Sequence, residues 1–187
     1  WNAQLNFGGG AISRFNLTTP RNSFEVVDFS AGVPLDIAFK HDKVVRIAWW
    51  HTSSHLGDDY IGRVKPIMRK LTFDAMKVML SWTPRGWLRA YGGGGYAFNS
   101  VHLDGRGTVQ LGVELMSRPF WRTKPRAYLA QDFQAAERRG WNPSYNVRGG
   151  LRWTGEHGIA AASLFMEYFT GVPYYLQFKE LRESHWG

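Results

Sequence analysis

Polarity alternates with a period of two along almost all of this chain, the pattern of strands whose two faces meet different surroundings. Residues 1–17 put Ala3, Leu5, Phe7, Gly9, Ala11, Ser13, Phe15 and Leu17 on one side, against Gln4, Asn6, Gly8, Gly10, Arg14 and Asn16. Residues 27–39 oppose Val27, Phe29, Ala31, Val33, Leu35, Ile37 and Phe39 to Asp28, Ser30, Gly32 and Asp36, with Pro34 a blemish because it cannot donate to a ladder. The same period recurs at 44–57, 71–82, 87–99, 108–116, 126–136, 145–153, 159–170 and 174–187, which makes ten segments. Turn-forming sequences such as Thr83-Pro84-Arg85-Gly86 and Thr170-Gly171-Val172-Pro173 separate them. No segment has a helical period.

Composition narrows the choice. No window approaches the roughly 18 consecutive apolar residues of a membrane-spanning helix. The 187 residues suit one domain over 1–187, and the absence of Cys removes disulfides and thiolate metal sites. The 23 Lys and Arg give a formal charge of +8 but never form a run of more than two, so no nucleic-acid partner is expected. Anionic lipid head groups suit such dispersed charge equally well. No Met opens the chain and His185-Trp186-Gly187 stops within an alternating stretch, so further residues are expected at both ends.

A soluble sandwich also alternates, but its strands are usually five or six residues long. Here most run to about ten, with an aliphatic face and a face carrying Arg14, Asp28, Asp36, Arg46, Lys77, Arg89, Glu114, Asp132, Arg148, Arg152 and Glu167. The expected fold is therefore all-β: a ten-stranded antiparallel up-and-down transmembrane barrel with a polar lumen, in the outer membrane of a Gram-negative bacterium. Closure would also remove the edges that such long strands otherwise expose. With both termini on the periplasmic side, Trp1, Trp82, Trp87, Trp121, Trp153 and Trp186 fall near one rim, as an aromatic girdle does. At ten strands the lumen is expected to be plugged by side chains.

The candidate chemistry lies in Trp49-Trp50-His51-Thr52-Ser53-Ser54-His55-Leu56-Gly57-Asp58-Asp59. Val45, Ile47 and Trp49 face lipid, so strict alternation sends His51, Ser53 and His55 outward too. In the next segment Met76, Val78, Leu80 and Trp82 face lipid, and the same parity brings Asp74 outward. A hairpin between the two sets Ser53 opposite a residue close to Asp74. An imidazole can take the proton of a Ser hydroxyl while a carboxylate fixes its tautomer, so Ser53 reads as nucleophile, His51 as base and Asp74 as orienting carboxylate.

His51-Thr52-Ser53 resembles the outward-facing His-x-Ser-Asn strand of outer-membrane phospholipase A and the outer-membrane lipid A deacylase. There the His is the general base and the Ser the nucleophile; here Ser54 stands where those families have Asn. A longer resemblance is carried by Trp50-His51-Thr52-Ser53-Ser54-His55-Leu56-Gly57-Asp58-Asp59-Tyr60, Arg89-Ala90-Tyr91-Gly92-Gly93-Gly94-Gly95-Tyr96, Leu111-Gly112-Val113-Glu114 and Phe165-Met166-Glu167-Tyr168-Phe169-Thr170-Gly171. Over nearly the whole chain it is similar to a bacterial family of predicted outer-membrane proteins known as domain of unknown function 1207. That resemblance implies an outer-membrane barrel and brings no activity with it.

Plainer roles compete with each site. His51 and His55 would serve as interfacial anchors beside Trp49. His55, Asp58 and Asp59 offer too few oxygen donors for Ca²⁺, and no cofactor or metal is expected. Gly92–Gly95 lack the helix and Lys of a phosphate loop and make room for neighbouring side chains instead. Arg63, Lys65, Arg69 and Lys70 form a basic loop suited to lipid phosphates, with phospholipid or lipopolysaccharide as the partner. The sequence thus favours a structural, anchoring or binding barrel, alone or in a larger protein assembly. The alternative is an outer-leaflet lipid-ester hydrolase using Ser53, His51 and Asp74.

Overall fold

A computed structural model describes residues 2–19, 22–40, 42–67, 71–121, 124–154, 161–178 and 181–187. Eleven strands form one antiparallel sheet: β1 (Asn2–Leu5), β2 (Gly8–Asn16), β3 (Ser23–Phe39), β4 (Lys43–Leu56), β5 (Leu71–Arg85), β6 (Leu88–Val101), β7 (Gly107–Met116), β8 (Arg126–Ala136), β9 (Ser144–Thr154), β10 (Ala161–Gly171) and β11 (Glu183–Trp186). From β3 onward each strand pairs with the next, while β1 and β2 both pair with β3. No helix is long and apolar enough to cross a membrane among the described residues, which leaves open a crossing by strands.

Three expectations from the sequence are corrected. The first alternating stretch is two strands, which makes eleven. Pro34 is the physical reason: its carbonyl accepts from Asn6 N (2.9 Å), so its backbone faces the edge, where it has no N–H to give. The ladder therefore breaks at Asn6 and Phe7, with β1 pairing to Leu35–Ala38 and β2 to Ser23–Gly32. Second, the chain is not free of helix: α1 (Asp58–Val64) follows β4, with Asp58 and Asp59 in its first turn. Third, the stretch 174–187 is a 3-10 turn at Leu176–Phe178 followed by only the short β11. That short strand sets Trp186 opposite Tyr168, six residues along β10 from the Ala162 that opposes Trp153, and so away from the expected rim. Trp82, Trp87 and Trp121 do lie on the turn side of the sheet, exposed. Trp1 lies outside the described residues.

Among the described residues the sheet is not closed by a backbone ladder. It curls until its ends touch through side chains instead: Arg14 of β2 pairs with Glu183 of β11 (3.0 Å), and Tyr175 Oη donates to Ser13 O (3.1 Å).

The two faces of the curled sheet differ in kind. Outward stand Ile47, Trp49, Met76, Val78, Leu80, Leu111, Leu129, Val147, Leu164 and Met166, all exposed. Inward, opposite charges meet at directly opposed positions of neighbouring strands: Arg46 Nε with Asp36 (2.7 Å), Arg89 Nη1 with Glu114 (2.7 Å) and Arg148 Nε with Glu167 (2.7 Å). At one end the segment after β10 folds into the interior, where Val172, Leu176 and Phe178 are buried. Its backbone is held by polar side chains of the wall. Leu176 N donates to Asp28 (2.9 Å), while Ser144 Oγ and Arg139 Nη1 donate to Val172 O (2.8 and 3.0 Å).

Tyr91, Gly112 and Asp132 show how the interior is filled. They lie in one row across β6, β7 and β8, and the Tyr91 ring crosses Gly112 to donate its hydroxyl to Asp132 (2.6 Å). A Cβ at 112 would sit 2.2 Å from Tyr91 Cζ. Gly112→Ala is therefore expected to lower stability by about 1–3 kcal/mol in urea unfolding. The cost should shrink sharply in a Tyr91→Ala background, and an equal cost in both backgrounds would refute this packing.

Candidate active site on the outward face

The register of β4 between its neighbours divides the His51–His55 string into two functions. Pairing with β3 and β5 puts His51 opposite Ala31 and Asp74, and Ser53 opposite Phe29 and Thr72. Odd positions point outward. His55 meets the outward Phe29 edge to face, with ring centroids 6.0 Å apart. Even positions point inward: Thr52 bonds Ser30 (3.2 Å), and the buried Ser54 donates a short hydrogen bond to Asp28. Ser54 is thus occupied in holding the interior and is not available to an outward site.

On the outer face His51 Nδ1 donates to Asp74 Oδ1 at 2.8 Å, the imidazole half exposed and the carboxylate more sheltered. An ionised carboxylate has no proton to offer, so the proton of this bond lies on Nδ1, and in the neutral imidazole the lone pair is on Nε2. The other carboxylate oxygen, Oδ2, accepts from Asn99 Nδ2 of β6 (2.7 Å). Three adjacent strands therefore contribute one residue each to a continuous outward network, in which Asp74 is held from both sides.

Ser53 is the incomplete member. It lies on the same face two residues beyond His51, so the two Cα atoms are roughly 6.6–6.8 Å apart along the strand. Among the described residues its hydroxyl has no hydrogen-bond partner and does not bond His51. The arrangement thus supplies a nitrogen base with an oriented tautomer and a free hydroxyl within one side-chain rotation of it. Such bonds often tighten only when substrate is bound.

Asn99 escapes a reading by alternation. The inward Ala97 pairs with Ala75, and strict alternation would send Asn99 inward with it; a β-bulge at Phe98 shifts the register, so that Asp74 faces Asn99. Tyr96 and Phe98, two apart with Ala97 between them, continue the alternation and give no sign of it.

The other candidate residues fall elsewhere. Arg63 turns to the buried Glu25 (2.7 Å) and stacks over Tyr60, while Lys65 caps the C-terminus of α1 in the left-handed conformation, φ 49°. Arg69 and Lys70 lie outside the described residues. Asp59 accepts from the backbone N–H of Phe24 (3.4 Å), and no cluster of three or more potential metal ligands forms among the described residues. Gly92–Gly95 make room as expected: a Cβ at 93 would meet Val78 O at 2.0 Å, and one at 95 would meet Lys77 Cγ at 2.8 Å.

The sequence model of a family described as protein of unknown function, DUF1207, matches residues 1–187. The chain belongs to the DUF1207 family. Comparisons with curated proteins and with solved structures give no match. For this DUF1207 chain the chemistry must therefore be read from the network itself. Neutral His51 is expected to carry its proton on Nδ1, visible in ¹⁵N NMR of the imidazole. Asp74→Ala should shift the tautomer toward Nε2–H, and a wild-type proton already on Nε2 would contradict the network.

Proposed function

We propose that this DUF1207 chain is an outer-membrane β-barrel with a filled interior, acting as an anchoring or binding barrel. The contrast between its faces carries the reading: a broad aliphatic band exposed outward, and charges paired inward. A contiguous exposed apolar surface of this extent is unfavourable in water and favourable in lipid. Ion pairs facing inward are the counterpart, because a lone charge on the lipid face costs free energy at midplane depth. The contacts Arg14–Glu183 and Tyr175–Ser13 support closure, since they already bring the two edges of the sheet together. The inward pairs and the buried segment after β10 favour a plugged barrel over an open pore. In a Gram-negative cell the protein is expected in the outer-membrane fraction after carbonate washing, and to migrate faster on a gel unheated than boiled. Recovery in the soluble fraction would reject a membrane barrel.

The His51–Asp74 bond favours a second reading, hydrolysis of lipid esters on the outer wall. The outward face turns from aliphatic at Val45, Ile47 and Trp49 to polar at His51 and Ser53, and likewise from Met76 to Asp74 on β5, which suits the depth where head groups meet acyl chains. In this reading His51 Nε2 takes the proton of Ser53 as Oγ attacks the ester carbonyl of a phospholipid or lipid A. The imidazolium, held by Asp74, then returns that proton to the departing alcohol oxygen. Water cleaves the acyl-serine by the same proton path in reverse, leaving a free fatty acid. Purified protein is expected to release fatty acid from phospholipid vesicles, with Ser53→Ala and His51→Ala at background and Asp74→Asn reduced at least about 100-fold. Release that is unchanged in Ser53→Ala would eliminate Ser53 as the nucleophile.

A further inference from the structure

The mouth of the curled sheet, on the side of α1, the 137–143 connection and the 3-10 turn at Leu176–Phe178, holds an open cavity of about 700 Å³. That is well within the range of small-molecule sites. It lies on the inner face, across the wall from His51, and does not depend on membrane insertion. Its lining is divided. Leu56, Leu103, Phe178 and Leu181 give it an apolar side, and Arg138 reaches it from the 3-10 turn at Glu137–Arg139.

Arg138 lines both this cavity and a small void of about 50 Å³ beneath it, which Lys77 and Arg139 also line. Arg138 thus sits where the cavity meets a cluster of basic side chains. The carboxylates that act on that cluster through space, Asp28 on Arg138 and Asp132 on Lys77, make their hydrogen bonds elsewhere. Asp28 accepts from Ser54 Oγ and Leu176 N; Asp132 accepts from Tyr91, Gln110 and Gln134; Glu25 holds Arg14 and Arg63. Asp104, on the cavity wall, already has a partner. Among the described residues no carboxylate lies within ion-pair distance of Arg138, whose guanidinium instead stacks over the Phe73 ring at 5.6 Å. Burial and then the neighbouring Arg139 push its pKa down to about 10, still charged at neutral pH. The cavity wall is mixed, with Arg14, Glu25, His102 and Asp104 beside the apolar side chains, and a largely buried cation with no carboxylate at ion-pair distance is stabilised by an anion brought next to it.

We propose that the mouth cavity binds a single-chain anionic amphiphile, its head group on Arg138 and its alkyl chain along Leu56, Leu103, Phe178 and Leu181. A fatty-acid carboxylate and an alkyl phosphate present the same chemistry: two or three oxygens for a guanidinium fork, and a tail that fits the apolar wall. A small inorganic anion leaves that wall unfilled, and an uncharged alcohol leaves Arg138 unpaired.

The probes are dodecanoate and dodecyl phosphate, which displace 11-(dansylamino)undecanoate from the full chain. The chain is held in phosphatidylcholine nanodiscs, or in buffer if it needs no lipid, with empty nanodiscs subtracted. Displacement is expected to saturate at one site, with dodecanol at least tenfold weaker and inorganic phosphate without effect; the two anionic probes together separate a carboxylate from a phosphate preference. Arg138→Gln should weaken binding at least tenfold. Leu181→Asp, at an exposed position, should weaken it similarly while the thermal melt stays unchanged, which keeps the test valid if Arg138→Gln fails to fold. Non-saturating uptake, equal displacement by dodecanol or inorganic phosphate, or wild-type affinity in a folded variant would overturn the proposal.

Discussion

The register of β4 is the constraint on which both faces of this molecule depend. It is paired along its full length to β3, from Lys43 to Leu56, and along most of it to β5, from Lys43 to Ser54. A slip of one residue would turn every side chain to the opposite face. His51 would leave Asp74 and enter the interior, and Ser54 would lose Asp28 and face outward. The outward network and the inward anchor of the 172–178 segment are thus two consequences of one alignment. Selection on either would preserve the other.

Inside, the geometry of direct cross-strand pairing carries the electrostatics. Arg46–Asp36, Arg89–Glu114 and Arg148–Glu167 are each opposed in register, so each pair forms without a long side chain searching for its partner. Taking a charge out of water is costly unless its partner is close and well oriented, and opposed positions on neighbouring strands supply that at short range. Glycine provides the remaining space. Tyr91 can reach Asp132 only because the intervening position is Gly112, and β5 and β6 can pack Lys77 and Met79 only because Gly93 and Gly95 carry no Cβ. The mouth differs from this paired interior. There Arg138 has no carboxylate within ion-pair distance among the described residues, and the wall beside it is partly apolar.

The sequence was most legible where alternation ran unbroken. Strands from β3 to β10, the outward placement of His51, Ser53 and Asp74, and the inward placement of the charged residues all follow from a period of two. It failed where one residue changed the count or where local chemistry overrode it. Pro34 split the first stretch by withholding a backbone donor from the edge. The 58–64 stretch, two acidic residues followed by Tyr60 and Ile61, has no room for a helical period to show, and the helix there is only seven residues long. After β10, Val172 and Leu176 bury themselves against Ser144 and Asp28 instead of continuing the sheet, a tertiary preference that no local pattern expresses. Arg138 was hidden for a similar reason: Arg138-Arg139 reads as ordinary surface charge until the turn is seen to fold inward.

Asn99 shows how little is needed to build a polar network on a wall that is otherwise apolar. Up to Ala97, β6 keeps strict alternation, Gly93, Gly95 and Ala97 inward with Tyr96 outward. The extra residue at Phe98 lets two consecutive side chains, Phe98 and Asn99, stand exposed, and the second lies directly opposite Asp74. Without the bulge, the outward position beside Asp74 would belong to an apolar residue, and one oxygen of the carboxylate would lose its Asn99 partner. With it, Asp74 is bonded at both oxygens and its direction toward His51 is set from the far side. A bulge bends and twists the strand it interrupts, and this one also re-aims one side chain toward a charged pair. It has a clear use in fixing the orientation of an imidazole, and this makes the outward pair more than an incidental contact between neighbouring strands.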